Sequence, residues 1–341
     1  MGNLSFDKYR ELLDGKVVLI TGGTGTLGKK ISEIILSQFD VKKLIILSRD
    51  EMKQWDMQNE FVDYLEKIRF FIGDVRDRDR LYRAFQGVDI IIHAAATKIV
   101  PIAEYNPFEC LKTNVNGAMN VVDAALDCNV KSVVALSTDK ASSPINLYGA
   151  SKLASDKLFV AANGYAGSSQ TKFSVVRYGN VMGSRGSVIP LYLSLKNKKP
   201  LPVTDVRMTR FMITIEQGID LIFMALRDML GGEIFVKKIP SMKITDIASA
   251  IDSAEFVEVG IRPGEKIHEQ MINLEDAPFT YEYSDYYKIL PQIYNWNGDS
   301  HRILDGKKVS ADFSYTSDNN KEWMSITELK NWMRHTYNVE V

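Results

Sequence analysis

The stretch from Leu136 to Lys152, LSTDKASSPINLYGASK, contains two pairs of residues whose types and spacing suit acid–base chemistry. Tyr148 and Lys152 form the first pair. A phenol has an unperturbed pKa near ~10, so it acts as a base at neutral pH only beside a cation. A lysine four residues later lies on the same helix face, and such a pair can remove a hydroxyl proton during hydride transfer. Asp139 and Lys140 form the second pair, for which a simple alcohol dehydrogenase has no use.

Each pair also has a purely structural interpretation. A tyrosine and a lysine at this spacing occur by chance in many helices, and an adjacent acid and amine can form an exposed ion pair in a loop. Both pairs, however, follow a predicted strand, and the carboxyl ends of parallel strands are where α/β folds bind ligands. Thr138, at the end of that strand, is placed to donate to a substrate oxygen. The location favours catalysis.

The elements that must position these residues follow a regular pattern. Short runs that are apolar on both faces alternate with helical segments, which indicates a parallel sheet covered on both sides. The runs are 16–21, 43–48, 68–73, 89–95, 131–137 and 172–180. The sequence therefore predicts a doubly wound α/β fold of the Rossmann type.

The strand–helix rhythm ends near Gly183, which predicts a division of the chain. Residues 1–182 form the cofactor-binding domain, and 183–204 with 241–341 form a smaller C-terminal substrate-binding region. Residues 205–240 return to the first domain. A Thr-x-x-Gln capping box at Thr214 opens a helix over 214–230, and 233–236 rejoins the sheet. A Trp-bearing helix lies near the C-terminus.

A glycine motif follows the first predicted strand. TGGTGTLGKK places Gly22, Gly25 and Gly28 in Gly-x-x-Gly-x-x-Gly spacing, where side chains would block a pyrophosphate and a helix N-terminus offers amides to it. The other candidate contacts in this loop are Thr24, Thr26 and Leu27. A glycine turn with packing duties alone is the alternative. The strand–helix context favours a dinucleotide.

The end of the second strand distinguishes between the two nicotinamide dinucleotides. NAD sites usually carry a carboxylate there for the ribose 2′-hydroxyl, but this sequence has Ser48 and Arg49, with Lys53 one turn later. A hydroxyl and two cations suit the 2′-phosphate of NADP, while Asp50 is interpreted as the N-cap of the following helix. The alternative is that both cations lie on a solvated face.

Two further loops are expected to contact the cofactor. Asp74 and Val75 follow the third strand, where an adenine would be flanked. Ala94, Ala95 and Ala96 follow the fourth strand and are small enough for the nicotinamide end to pass. Either segment, taken alone, could have only a packing role in the core.

Composition excludes several classes of function. The 341 residues include 42 basic and 43 acidic side chains, so a net charge of −1 creates no field for nucleic acid or a membrane surface. Cys110, Cys128 and four scattered histidines lack metal-ligand spacing. The N-terminus lacks a signal peptide's apolar core, and no run approaches the ~20 apolar residues that span a bilayer. We expect a cytoplasmic protein without a metal site.

Six motifs together identify a family. TGGTGTLG, SRDEMK, HAAATKIVPIAEYNP, LSTDKASSPINLYGASK, RYGNVMGSRGSVIP and GIRPGEK closely resemble the inverting UDP-N-acetylglucosamine 4,6-dehydratases of the extended short-chain dehydrogenase/reductase superfamily. The resemblance spans about 14–323, and Thr97 and Ile99 depart from it. It implies NADP-dependent formation of UDP-2-acetamido-2,6-dideoxy-β-L-arabino-hexos-4-ulose, the first step of pseudaminic acid synthesis, whose sugar decorates flagellin or another surface glycan.

The resemblance also implies roles for individual residues. Tyr148 would take the 4-hydroxyl proton, Lys140 the C5 proton, and Asp139 would protonate the departing 6-hydroxyl. Arg262 is assigned to the diphosphate and Glu265 to the uridine ribose. Amides of the glycine- and serine-rich loop after the sixth strand would cradle the diphosphate, before a helix that starts at Pro190. The candidate substrate contacts are Lys98, Asn180, Val181, Arg185, Ser187, Val188, Pro190, Met208, Arg210, Arg262 and Glu265. Lys98 is a candidate contact to the cofactor as well, together with Tyr148 and with Lys152, which can hydrogen-bond the nicotinamide ribose.

Other functions are compatible with parts of this pattern. A UDP-sugar 4-epimerase or a retaining 4,6-dehydratase would use the same cofactor and tyrosine, but an epimerase has no role for Asp139 and Lys140. An NADP-sensing regulatory protein would keep the fold without catalysis. Helices at roughly 106–128 and 147–163 could pair across a two-fold axis, so a homo-oligomer, a dimer or larger, is expected.

Overall fold

The chain folds around one large sheet. The structure is a computed structural model that describes residues 4–167, 169–184, 186–252, 256–294, 296 and 298–337. Its strands are β1 Val17–Thr21, β2 Lys43–Ser48, β3 Ile68–Ile72, β4 Ile90–His93, β5 Ser132–Thr138, β6 Lys172–Tyr178, β7 Asn180–Val181, β8 Leu201–Val203, β9 Thr209–Ile213, β10 Ile234–Lys237, β11 Ser241–Lys243, β12 Phe256–Glu258, β13 Gln270–Ile272, β14 Thr280–Glu282, β15 Tyr286–Ile289, β16 Lys307–Lys308 and β17 Tyr315–Thr316.

Helices cover both faces of this sheet and form the smaller C-terminal layer. They are α1 Arg10–Leu13, α2 Thr26–Gln38, α3 Glu51–Glu60, α4 Arg78–Phe85, α5 Val100–Tyr105, α6 Pro107–Leu111, α7 Gly117–Asp127, α8 Leu147–Ala162, α9 Val188–Leu195, α10 Ile215–Asp228, α11 Ile244–Ile251, α12 Ser300–Ile303 and α13 Ile326–Tyr337. A π-helical segment, Lys112–Asn116, joins α6 to α7. Within the described ranges, no helix is long and apolar enough to cross a membrane.

Seven parallel strands form the body of the sheet, in the order β3-β2-β1-β4-β5-β6-β10. Their side chains are buried on both faces because they consist mainly of valine, isoleucine and leucine, which the flanking helices cover. The strand order reverses between β1 and β4, and folds of this type bind their ligands in the crevice above the carboxyl ends at such a switch point. This arrangement confirms the predicted Rossmann fold.

Several local predictions are confirmed. The six predicted strands appear as β1 to β6, and 233–236 appears as β10, parallel to β6. Thr214 caps α10, with the reciprocal bond from Gln217 that completes the capping box. The helices expected near 106–128 and 147–163 correspond to α6 through α7 and to α8.

Three antiparallel strands extend the sheet beyond β10, in the order β15, β14, β16. They come from residues 280–308, which the sequence analysis assigned to the substrate-binding region. These strands are two to four residues long and rich in tyrosine and lysine. Because they lack a continuous apolar run, their pattern does not distinguish them from loops.

A second apolar cluster lies beside the sheet and supports the loops after β6. It contains buried side chains from α9, α11 and α13, among them Ile189, Ile247 and Met333. The Trp-bearing helix predicted near the C-terminus is α13, and it packs on α11. Trp332 and Tyr337 of α13 face Gly183, at the start of the loop that precedes α9. The C-terminal helix thus packs against the start of the loop after β6.

Candidate active site

The β1–α2 loop has the geometry of a dinucleotide site. Gly22 adopts a φ of +66°, and a Cβ there would lie 2.8 Å from the Cα of Ala95. Gly28 is equally constrained, since its Cβ would lie 2.4 Å from the Gly23 carbonyl oxygen. Helix α2 begins at Thr26 after Gly25, which provides no side-chain cap. Its first amides therefore remain available to an anion, and the cradle fits a dinucleotide pyrophosphate.

The remaining residues of this loop support its shape. Thr24 is buried, and Leu27 packs against the core on one side of the sheet. The Gly25 N–H donates to the Gly22 carbonyl at 3.1 Å, which closes the turn. The loop is therefore held by its own backbone.

The carboxyl end of β2 presents a hydroxyl and two cations. Asp50 caps α3 as predicted, by accepting from the Lys53 N–H, and its carboxylate also pairs with the Lys53 ammonium at 2.6 Å. Arg49 is 65% exposed and lies 3.7 Å from Asp74. Ser48 is buried and accepts a hydrogen bond from the Gln54 side chain, which the sequence analysis did not single out.

The two loops expected around the rest of the cofactor reach the same edge. Burial opposes ionisation of Asp74, but hydrogen bonds from Arg76 and the nearby Arg49 lower its pKa. Val75 is buried, and its carbonyl accepts from Asn120 at 3.0 Å. Ala94 and Ala95 follow β4, and Ala96 is exposed beside them. These segments line the crevice on either side of β1.

Asn114 fixes the loop after β4, a role that the sequence analysis missed. Its side chain accepts from the Thr97 N–H at 2.8 Å and donates to the Thr97 carbonyl and the Ser151 hydroxyl at 2.9 Å each. Asn114 lies in the π-helical segment, and such segments are frequent at functional sites. Lys98 follows Thr97 directly and is exposed. These three hydrogen bonds of Asn114 therefore fix the backbone position from which the Lys98 side chain extends.

The second acid–base pair is buried at the end of β5. The Lys140 Nζ lies 3.1 Å from Asp139 Oδ1, and the Thr138 hydroxyl donates to the same oxygen at 2.9 Å. A third group completes the cluster, because Glu269 Oε1 lies 2.9 Å from the Lys140 Nζ. Glu269 precedes β13 and was not predicted, since nothing in its local sequence distinguishes it. The alternative of an exposed loop ion pair is wrong, because Asp139 is only 1% exposed.

The electrostatics of this cluster correct one expectation. The role of base that the resemblance implies for Lys140 requires a lowered pKa. Burial does favour the neutral amine, but the carboxylates of Asp139 and Glu269 outweigh it and raise the pKa of Lys140. Burial, with a contribution from Glu269, raises the pKa of Asp139 despite the adjacent Lys140. In this state Lys140 is an ammonium, and Asp139 retains a proton more readily than an exposed aspartate.

Tyr148 and Lys152 lie on α8 beside this cluster. Burial raises the pKa of Tyr148 to about 12, while the Lys140 ammonium and a hydrogen bond with Thr138 act in the opposite direction. Burial lowers the pKa of Lys152, although Asp156 opposes that effect. The Lys140 ammonium therefore acts on the phenol of Tyr148 as well as on Asp139.

The segment RPGEK closes over the catalytic stretch. The Asn146 side chain caps α8 and also donates to the Gly264 carbonyl at 2.7 Å. The Lys266 ammonium donates to the Ser142 carbonyl at 2.7 Å. Arg262 pairs with Glu265 at 3.1 Å, and Glu265 Oε2 is buried without a hydrogen-bond partner among the described residues.

Arg210 is directed into the protein. Its guanidinium donates to the carbonyls of Thr209, Ile267 and Lys266 at 2.7–3.1 Å and lies 3.8 Å from Glu269. Met208, beside it, is buried and accepts from the same guanidinium. The predicted substrate contact Arg210 is thus part of the wall around Glu269 in this state.

The loop after β6 provides the other predicted substrate contacts. Asn180 and Val181 form β7, which pairs with β9. The helix expected to start at Pro190 begins instead at Val188, with Ser187 in the N-cap position. Proline is tolerated in a first turn, so it does not mark the first helical residue. The Ser187 hydroxyl is buried without a hydrogen-bond partner in the described part of the chain, and Arg185 lies outside that part.

Comparison with known proteins assigns the family. A family model described as polysaccharide biosynthesis protein matches residues 18–291. The chain belongs to this family. It is 52% identical, over 95% of its own length and 99% of the relative, to a UDP-N-acetylglucosamine 4,6-dehydratase (inverting) from Campylobacter jejuni. It is 39% identical, over 92% of its length and 94% of the relative, to a UDP-glucose 4-epimerase from Rickettsia akari. The resemblance identified from the motifs is confirmed.

Solved structures confirm the fold. Pen from Bacillus thuringiensis superimposes with a TM-score of 0.85 at 37% identity, covering 95% of this chain and 99% of that one. DesIV from Streptomyces venezuelae, a dTDP-glucose 4,6-dehydratase solved with NAD and TYD bound, gives a TM-score of 0.66 at 24% identity, covering 74% of this chain and 86% of that one.

The glycine cradle leads to a prediction about Gly22→Ala. The added methyl group meets the backbone of Ala95, so we expect cofactor binding to be lost and the thermal midpoint to fall. Gly15→Ala is the matched control, because Gly15 has a φ of +71° but open space around its missing Cβ. Both variants carry the same left-handed strain, about 1–2 kcal/mol. Isothermal titration with dinucleotide and thermal scans measure the difference, and equal affinity in both variants would contradict the assignment.

Proposed function

We propose that this protein is an NADP-dependent UDP-N-acetylglucosamine 4,6-dehydratase that inverts C5. The proposal is supported mainly by one observation: two groups of acid–base residues lie beside each other at the carboxyl end of β5. Tyr148, Lys152 and Thr138 suit oxidation of a hydroxyl, and Asp139 and Lys140, 3.1 Å apart, suit elimination of water. The sequence relationship to the Campylobacter jejuni enzyme supports the substrate class.

The first half of the proposed reaction uses the residues of α8. A nicotinamide dinucleotide, held by the β1–α2 loop and the carboxyl end of β2, would supply the acceptor for the C4 hydride and the donor for C6. Tyr148 takes the proton of the 4-hydroxyl, and Thr138 donates to the same sugar oxygen. Lys152 is buried one turn later on the same helix and would lower the cost of the ionised phenol. The resulting 4-ketone acidifies the C5 proton.

The second half uses the pair at the end of β5. Asp139 protonates the leaving 6-hydroxyl, a role that its raised pKa suits. Lys140 takes the C5 proton and later returns one to the opposite face. Because Lys140 begins as an ammonium, it must first release a proton, and Asp139 is close enough to receive it.

The nucleotide end of the substrate is proposed to lie under the RPGEK segment. Arg262 would contact the diphosphate and Glu265 the uridine ribose, which requires their mutual ion pair to open. The buried hydroxyl of Ser187 and the buried oxygen of Glu265 have no hydrogen-bond partners among the described residues. Buried polar atoms in such positions are explained by a polar ligand.

A UDP-sugar 4-epimerase is the second candidate, and the 39% identity to the Rickettsia akari protein favours it. An epimerase would return the hydride to C4 and would leave Asp139 and Lys140 without a role. Burying a carboxylate and an amine together is costly, so an unused pair is a poor explanation of the site. If the sugar product retains its 6-hydroxyl, the protein is an epimerase and not a dehydratase.

The biological setting is also proposed. The product would enter pseudaminic acid synthesis, and both cysteines are free, as expected in a reducing cytoplasm. Tyr105, the last residue of α5, and Phe108 of α6 are 88% and 76% exposed, which supports self-association through these helices.

Turnover without net reduction is the first prediction from this mechanism. Catalytic NADP should support many turnovers of UDP-N-acetylglucosamine, because the hydride removed from C4 returns to C6.

Lys140→Met should stop elimination while NADP still binds, leaving 4-keto sugar with reduced cofactor. Lys157→Met, which removes an exposed amine of α8, should behave as wild type. The absorbance of reduced nicotinamide measures the redox state of the cofactor, and NMR identifies the sugar product in wild type and in each variant. Stoichiometric NADPH from wild type would contradict the dehydratase mechanism.

Cofactor selectivity is predicted to depend on Arg49. Arg49→Ala should weaken NADP binding by about 10- to 100-fold, the scale of a charge-assisted hydrogen bond, and leave NAD binding unchanged. Arg10→Ala removes another exposed arginine, one in α1 before the amino end of β1, and should change neither affinity. Titration of each protein with both cofactors measures this. Equal affinities for NAD and NADP in wild type and Arg49→Ala would overturn the NADP assignment.

A further inference from the structure

We propose that Glu269 is a positioning residue for the elimination: it holds Lys140 beside Asp139 and retains the proton that this pair shares. The inference rests on the proposed function, because it assigns Glu269 a task in that reaction. Glu269 does not have to touch the sugar. It acts through Lys140.

The position of Glu269 is fixed by its backbone. Its N–H donates to the Ser317 hydroxyl at 2.9 Å, and its carbonyl accepts from the Ser317 N–H at 2.8 Å. The side chain is 2% exposed and reaches Lys140 with Oε1 at 2.9 Å, while Oε2 has no hydrogen-bond partner among the described residues. A carboxylate held at both backbone atoms and buried this deeply can orient a flexible lysine with little entropic cost.

Five charged or titratable groups around Lys140 set its proton affinity. Asp139 precedes it in the chain, Glu269 precedes β13, and Arg210 projects from β9. Lys266 faces the same cluster from the RPGEK segment, and Tyr148 faces it from α8. Two carboxylates thus face three cations, counting Lys140, when Tyr148 is neutral. Removal of Glu269 would leave one carboxylate for three cations.

Proton transfer within the pair explains how Lys140 can act as a base. The ammonium passes a proton from Nζ to Asp139 Oδ1 across 3.1 Å, giving a neutral amine and a neutral carboxylic acid. The amine then takes the C5 proton, the C6–O bond breaks, and the acid protonates the leaving oxygen to give water. Charge and protons balance, and the elimination restores the ammonium and the carboxylate. The active pair therefore holds one proton.

The effect of Glu269 on this proton has a definite sign. A nearby negative charge raises the pKa of both the carboxyl and the ammonium group, so its removal lowers both. Activity should fall at low pH as the pair gains a second proton, and at high pH as it loses its last. Without Glu269, both limbs of the pH profile should move to lower pH.

The test compares three variants with wild type. Glu269→Gln should shift both limbs of the kcat profile for dehydration to lower pH by about one unit or more. Glu269→Asp, which keeps the charge, should stay closer to wild type than Glu269→Gln. Glu275→Gln, which removes an exposed carboxylate six residues later, should keep the wild-type profile. A uniform loss of activity in Glu269→Gln, with both limbs in place, would show a merely structural role and overturn the proposal.

A second readout is independent of turnover. Titration of 13C-labelled lysine side chains by NMR follows Lys140 directly, with its signal assigned from Lys140→Met. The Lys140 titration should move to lower pH in Glu269→Gln at unchanged thermal midpoint, and an unmoved titration overturns the inference. A wild-type protein that forms no dehydrated sugar would instead overturn the proposed function, whatever the lysine titration shows.

Discussion

The structure depends on the burial of opposite charges at the end of β5. Asp139 is 1% exposed, and a buried ion pair is stable only when hydrogen bonds and further charges compensate the lost hydration. Thr138 and Glu269 provide that compensation in this molecule. Because Glu269 is more than a hundred residues away in the chain, the pair is complete only when the C-terminal region has folded onto the sheet.

A second buried network ties the same two regions together. Arg177 at the end of β6 is 2% exposed and bonds Asp156 at 3.2 Å and Asp276 at 3.1 Å. Asp156 lies on α8, one turn after Lys152, and also accepts from Ser137. Arg177 thus connects β6 with α8 and with the segment that carries Asp276, and Asp156 extends this network to Ser137 of β5. The elements that carry the two acid–base pairs are therefore held to one another by the same buried network.

The sequence was informative where function and structure are local. The six strands contain continuous apolar runs, and the acid–base residues lie within fifteen positions of one another, so both were predictable. Glu269 and Asn114 were not, because each acts on a residue that only the tertiary fold brings near. The raised pKa of Lys140 was missed for the same reason, since the second carboxylate comes from beyond β9. The short antiparallel strands carry too few apolar residues for a pattern to appear.

The central claim is that the pair at the end of β5 removes and returns the C5 proton of the sugar. Reaction of UDP-N-acetylglucosamine in deuterium oxide, followed by NMR of the 4-keto-6-deoxy product, tests this claim most directly. The account predicts deuterium at C5 and the L-arabino configuration, because Lys140 exchanges its protons with solvent before it reprotonates the opposite face. A product with the D-xylo configuration, or with the original hydrogen retained at C5, would contradict it.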